Sequence, residues 1–141
     1  MEQANTFNFE LVSPEKKLIA ESAWQVTIPG EEGEFGVRAG HTSLVASIRP
    51  GVIEVISQQG AAPKKIFITG GFADVTATQC TVLAEEAVNI ADLDAGKIEQ
   101  EIRALEEKIN IAQDGIEKAR MVRQLTTARA KLDAVRPRKA A

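Results

Sequence analysis

A chain of 141 residues with 44% hydrophobic content has room for one ordinary domain, or a small domain with an appendage, around a packed core. Its 17 basic and 20 acidic residues leave a net charge of -3, which supplies no electrostatic reason for nucleic acid or a bare membrane surface as partner. Cys80 is the one cysteine and His41 the one histidine, so an intrachain disulfide and the usual His/Cys metal clusters are excluded within one chain, and a reducing compartment is the default.

The first residues lack a basic region followed by an apolar run, so no secretory signal is read, and no window reaches the roughly 18 uninterrupted apolar residues of a membrane span. Phe7, Phe9 and Leu11 alternate with Asn8, Glu10 and Val12, the period-2 pattern of a half-buried strand that Ser13-Pro14 closes. Residues 18–20 and then Trp24, Val26 and Ile28 repeat it. Residues 29–51, PGEEGEFGVRAGHTSLVASIRPG, interrupt the alternation with glycines at 30, 33, 36, 40 and 51 and prolines at 29 and 50. That density predicts the loop-and-turn corner of a small β-domain rather than a flexible spacer, which would be richer in serine and poorer in Leu44, Val45 and Ile48. Further extended runs follow at 44–48, 52–56, 66–68, 72–75 and 79–84, punctuated by Gln58-Gln59-Gly60 and Thr69-Gly70-Gly71. About six to eight short runs with no long helix between them predict an antiparallel β-sandwich over residues 1–86.

Near residue 87 the period changes from 2 to 3.6. Ile98, Ile102, Leu105, Ile109 and Ala112 form one apolar stripe, Asp92 or Asp94 can cap its start, and Gly115 suits the left-handed position past a helix end. Ile116, Ala119, Val122, Leu125, Ala128, Leu132 and Val135 mark a second helix that Pro137 ends, with 138–141 as a tail. So short a link folds the two helices into an antiparallel hairpin over residues 91–136, and the fold class is α+β. Residues 92–112 carry six acidic positions (92, 94, 99, 101, 106, 107) against three basic (97, 103, 108), whereas 116–136 carry two acidic (117, 133) against six basic (118, 120, 123, 129, 131, 136). Two readings stay open: attraction across the hairpin between solvated faces, or docking of the cationic second helix, through Arg120, Arg123, Arg129 and Lys131, on an acidic partner.

Catalytic chemistry finds little support. Cys80 sits in an apolar strand run and reads as a buried inert thiol. His41, beside Gly40, reads as a loop imidazole satisfied by a backbone carbonyl. There is no GxSxG elbow, and the glycines match neither GxGxxG nor a P-loop, since Gly96-Lys97 is followed by Ile98 at a helix start. Glu31, Glu32 and Glu34 on an exposed turn read as solvated or interfacial carboxylates rather than a catalytic pair. With no tyrosine and one tryptophan, a stacking surface for single-stranded nucleic acid is absent. An interaction protein without cofactors fits better than a catalyst.

With the glycine corner, the segment ITGGFADVTATQCTVLAEEA and the terminal hairpin in this order, nearly the whole chain resembles the epsilon chains of bacterial F-type ATP synthases. One departure is Ser43, where the family commonly has proline after Gly-His-x. The resemblance implies a non-catalytic rotor part on the cytoplasmic face of the bacterial inner membrane, reaching the membrane only through partner subunits. Its sandwich would bind the gamma shaft and the ring of c subunits, and its hairpin would restrain ATP hydrolysis by transient contact with the catalytic alpha/beta head. Carried over by position, Glu34 with Glu31, Glu32, Gly33 and Phe35 falls where the family's sandwich approaches the ring, and His41 falls on a histidine of the same corner. The resemblance also opens an alternative, an ATP-sensing module built on the motif Ile/Leu-Asp-x-x-Arg-Ala. The aligned residues are Ile116, Glu117, Lys118, Ala119, Arg120 and Met121, so Asp has become Glu and Ala has become Met.

Overall fold

The computed structural model describes residues 5–136, and these form ten strands, a 3-10 turn and two α-helices. Contacts gather the chain into two units, 1–89 and 90–141. Pro137 and the tail at 138–141 lie outside the described residues.

The first unit holds β1 (Phe7–Val12), β2 (Lys17–Ala23), β3 (Gln25–Gly30), β4 (Gly33–Val37), β5 (Leu44–Ile48), β6 (Gly51–Ile56), β7 (Lys64–Ile68), β8 (Gly71–Val75), β9 (Gln79–Ala84) and β10 (Ala87–Asn89). The ladder runs β10-β7-β6-β3-β5-β8-β9-β1-β2, with β4 paired to β3. Its continuity between β3 and β5 rests on a single pair, Gly30↔Ile48, so it reads as two sheets joined at that point. Alternation puts Phe7, Phe9 and Leu11 of β1, Val26 and Ile28 of β3, Ile53 and Val55 of β6, and Cys80 and Val82 of β9 into one core between them. Each large side chain so buried contributes about 1.5–3 kcal/mol.

Three features differ from the expectation. The glycine corner is not all loop, because Gly33–Val37 pairs with β3 as a strand, leaving turns at Glu31–Glu32 and at Ala39–Gly40. Trp24 is not a strand residue but the bend at which the chain leaves the sheet of β1 for that of β6, its N–H donating to the Ile56 carbonyl at 2.8 Å. Within an otherwise antiparallel ladder, β1 and β9 run parallel, in the register Phe9↔Cys80. No hairpin joins them, so nothing in the connection forces them to be antiparallel. The sandwich also gains β10, which pairs with β7 and ends at Asn89.

The second unit is α1 (Ala95–Ile111) and α2 (Gly115–Val135). Asp94 is the cap of α1, its carboxylate accepting from the N–H groups of Gly96 and Lys97. Gly115 does not occupy a left-handed position. It opens α2, and Asp114 caps that helix by accepting from Ile116 N–H at 3.0 Å. Ile98 and Leu105 of α1 pack with Met121, Leu125 and Ala128 of α2, flanked by Ile102, Ile109, Leu132 and Val135. The stripe of α2 thus starts at Met121; Ile116 and Val122, expected on it, are 83% and 44% exposed. Four residues from Leu125, Met121 falls on its face, and its long thioether fills the space a smaller side chain would leave.

Candidate functional site

The turn between β3 and β4 builds a groove against β5. β3 ends at Gly30, Glu31 and Glu32 make the turn, and Gly33 starts the return strand at φ 138, which glycine adopts without strain. At Gly30 a side chain has no room, since a β-carbon would lie 2.8 Å from the Gly33 carbonyl oxygen and 3.0 Å from the Phe35 ring. The groove encloses about 400 Å³, with Glu31, Glu32, Gly33 and Phe35 on one side and Leu44 and Val45 among the residues on the other. Of the residues picked out from the corner, the structure therefore brings Glu31, Glu32, Gly33 and Phe35 into one wall. Glu34 follows on the same strand, exposed, opposite Pro29.

His41 stands beside this wall, its ring centroid 6.5 Å from that of Phe35 at 36°. Its Nδ1 lies 2.7 Å from the Thr42 carbonyl oxygen. A carbonyl can only accept, so Nδ1 carries the proton, as a loop imidazole satisfied by the backbone. Nearby in sequence, the Arg38 guanidinium sits 3.9 Å above the Trp24 ring, a cation–π contact that ties the loop after β4 to the bend before β3. Cys80 is wholly buried, and desolvation, with a smaller contribution from Asp74, pushes its thiol up to about 12. Among the described residues no group of three His, Cys, Asp or Glu side chains could hold a metal ion, and no helix is long and apolar enough to cross a membrane.

A second surface was not picked out from the sequence. Phe72 (56% exposed), Leu83 (48%) and Val45 (71%) stand on the outer face of β8, β9 and β5. The registers Ser47↔Phe72, Phe72↔Leu83 and Val12↔Leu83 set Phe72, Leu83 and Val12 in one row across three strands. The signal was present: with Ala73 and Val75 inward, period 2 leaves Phe72 outward, where a phenylalanine has no core to serve.

On the hairpin, the four docking candidates Arg120, Arg123, Arg129 and Lys131 separate. Arg129 pairs with Glu106 at 2.8 Å, and Arg136 pairs with Glu99, both across the hairpin. Arg120 pairs with Glu117 at 2.8 Å within α2. Arg123 and Lys131 make no ion pair with a described residue. Mutual attraction across the hairpin thus accounts for Arg129, and docking has Arg123 and Lys131 left to use. Ile116, Glu117 and Arg120 lie together on the first turns of α2, exposed, with the Arg120 charge already engaged. Ile111 and Ile116, on either side of the link, are 77% and 83% exposed.

Residues 6–90 match the family described as the ATP synthase delta/epsilon chain, beta-sandwich domain. A relative named ATP synthase epsilon chain, from Rhodospirillum centenum, is 42% identical over 94% of this chain and 93% of its own. Another of that name, from Sinorhizobium medicae, is 42% identical over 92% of this chain and 94% of its own. Among solved structures, a chain of the Euglena gracilis mitochondrial ATP synthase, determined with OSCP, F1 and c-ring, superposes with a TM-score of 0.80 at 26% identity, covering 89% of this chain and 78% of its own. A chain from the central stalk and c-ring of the Tetrahymena thermophila mitochondrial ATP synthase shares the fold, with a TM-score of 0.63 at 17% identity over 92% of this chain and 96% of its own.

Proposed function

Since the chain belongs to the ATP synthase delta/epsilon family, we propose that it is a non-catalytic rotor subunit that couples rotation of a proton-driven ring to ATP synthesis on other chains. It works on the cytoplasmic face of the bacterial inner membrane and meets the membrane only through its partners. The observation that carries this reading is the sharing of β5 between two unlike surfaces. Val45 and Ser47 border the acidic groove, and Ser47 also continues the row of Phe72 and Leu83. An exposed apolar row suits a permanent partner, which we take to be the gamma shaft, while the carboxylate-walled groove suits the polar loops of the c-ring.

The hairpin is the regulatory part, restraining ATP hydrolysis by transient contact of Arg123, Lys131 and the exposed isoleucines with the catalytic alpha/beta head. Its buried large side chains are used within the hairpin itself, so what is left for docking on any one surface is a few kcal/mol, comparable to the roughly 5.5 kcal/mol that reverses a two-state equilibrium from 1:99 to 99:1. The ATP-sensing alternative is not adopted, because Arg120 spends its charge on Glu117 and Ile116 faces solvent. The test is reconstitution of the enzyme with the full chain, without it, and with residues 1–89. Coupled proton pumping is expected with the full chain and with 1–89 but not without the chain, and ATPase activity is expected to rise on truncation. Equal coupling in all three preparations would overturn the assignment.

A further inference from the structure

The two strands that wall the groove do not pair along its length. β3 meets β5 only at Gly30↔Ile48, where Glu31 N–H donates to the Ser47 carbonyl at 3.0 Å and Arg49 N–H to the Pro29 carbonyl at 3.0 Å. These bonds fix which way β5 presents its backbone. Residues 47 and 49 point toward β3, so by strand alternation residue 45 points the same way, while 44, 46 and 48 turn toward β8. At Val45 there is no strand on that side, because the chain has turned away at Glu31 and Glu32. Its N–H and C=O face the groove and make no backbone bond there with any described residue. The result is a short open sheet edge, with Leu44 and Phe35 and two carboxylates among its lining and no cationic side chain there.

We infer that this edge is a strand-addition site: an extended segment of a partner, carrying a Lys or Arg, lies antiparallel or parallel to β5 and is held by backbone hydrogen bonds to Val45. Its cation sets the register by meeting Glu31 or Glu32. Main-chain pairing supplies the hold and the flanking charge the choice of partner, the division of labour general to strand addition. This rests on the reading of the groove as the ring-facing surface and adds how the contact is made.

Two substitutions at one position separate the backbone from the side chain. Val45→Pro deletes the groove-facing N–H without removing a bond to β8, a position where an edge strand accepts proline. Val45→Ala keeps the N–H and trims only a side chain that is 71% exposed. With the full-length chain and a detergent-solubilised rotor of c-ring and gamma shaft stripped of this subunit, Val45→Pro is expected to weaken binding about tenfold or more and Val45→Ala less than about threefold. Exchange of the Val45 amide hydrogen in the unaltered chain should slow by about tenfold or more on adding the rotor, which decides the matter even if the proline variant folds poorly. If the Val45 amide exchanges equally with and without rotor while Glu31→Lys with Glu32→Lys abolishes binding, the groove docks through side chains alone; the inference falls and the reading of the groove stands. If the double charge reversal also leaves binding unchanged, that reading of the groove falls too. Protection of Val45 at high concentration of the chain alone would show a second copy on the edge and would likewise overturn the inference.

Discussion

A methyl group added at Gly71 would lie 2.0 Å from the Leu83 carbonyl oxygen, closer than any repacking of side chains could relieve, because the obstacle is the backbone of the neighbouring strand. The residue also sits at φ 152, outside the range of side-chain-bearing residues. Gly71→Ala should therefore cost at least about 2 kcal/mol and lower Tm by roughly 5 °C or more. Gly60→Ala, at φ 87 with nothing within 4 Å of the added carbon, should cost only the local backbone penalty of about 1 kcal/mol; thermal melts of the two variants check the difference. Cys80 gives a pH dependence of determinable sign. Burial raises its pKa from 9.0 to about 12, so the folded state holds the thiol proton that the unfolded chain releases. The stabilisation is complete below pH 9.0 and is lost as pH climbs toward about 12, at up to about 1.4 kcal/mol per unit. Urea titrations across that window should show Cys80→Ala less sensitive to pH than the unaltered chain. Equal slopes would mean the thiol is not the responsible group.

At the scale of the element, the hairpin depends on Leu105 and Leu125 far more than on its charges. The Arg129–Glu106 pair leaves both side chains about half exposed, and such a pair contributes about 0–1 kcal/mol. Leu125→Ala removes a buried side chain from a five-residue core and should cost about 2–5 kcal/mol. The helices lie in the hairpin and the one tryptophan, Trp24, in the sandwich, so two probes separate the units. Far-ultraviolet circular dichroism should melt earlier in Leu125→Ala while Trp24 fluorescence keeps its midpoint, and a joint shift would refute independent cores. Legibility followed the same division. The strands and helices showed in their periods, and Asp94 showed, with Asp92, as one of two candidate caps, because those patterns are local. Met121 was passed over for Ala119 and Val122, since spacing by three or four allows more than one stripe and only the partner helix decides among them. Gly33–Val37 hid as loop because glycine disguises a strand whose pairing is supplied by β3. At the groove, the glutamates and Phe35 could be picked out as residue types, but the open edge at Val45 could not. It exists because β3 turns away from β5, and sequence does not announce which strands fail to meet.

The molecule as a whole is two cores that share no buried residue, one between sheets and one between helices. The placement of β1 carries a consequence for how such a chain is made. Its two neighbours are β2, which follows at once, and β9, which begins roughly 70 residues later. On the ribosome, where synthesis runs at about 5–20 residues per second, the opening hairpin therefore waits roughly 4–14 seconds with the outer backbone edge of β1 unpaired before β9 arrives to take it. Through that interval a nascent chain offers an unsatisfied edge to any other polypeptide, and it is then that a holdase chaperone has something to protect. A premature stop shortly before residue 79 leaves an orphaned first strand prone to clumping, whereas one just after Asn89 leaves a finished sandwich.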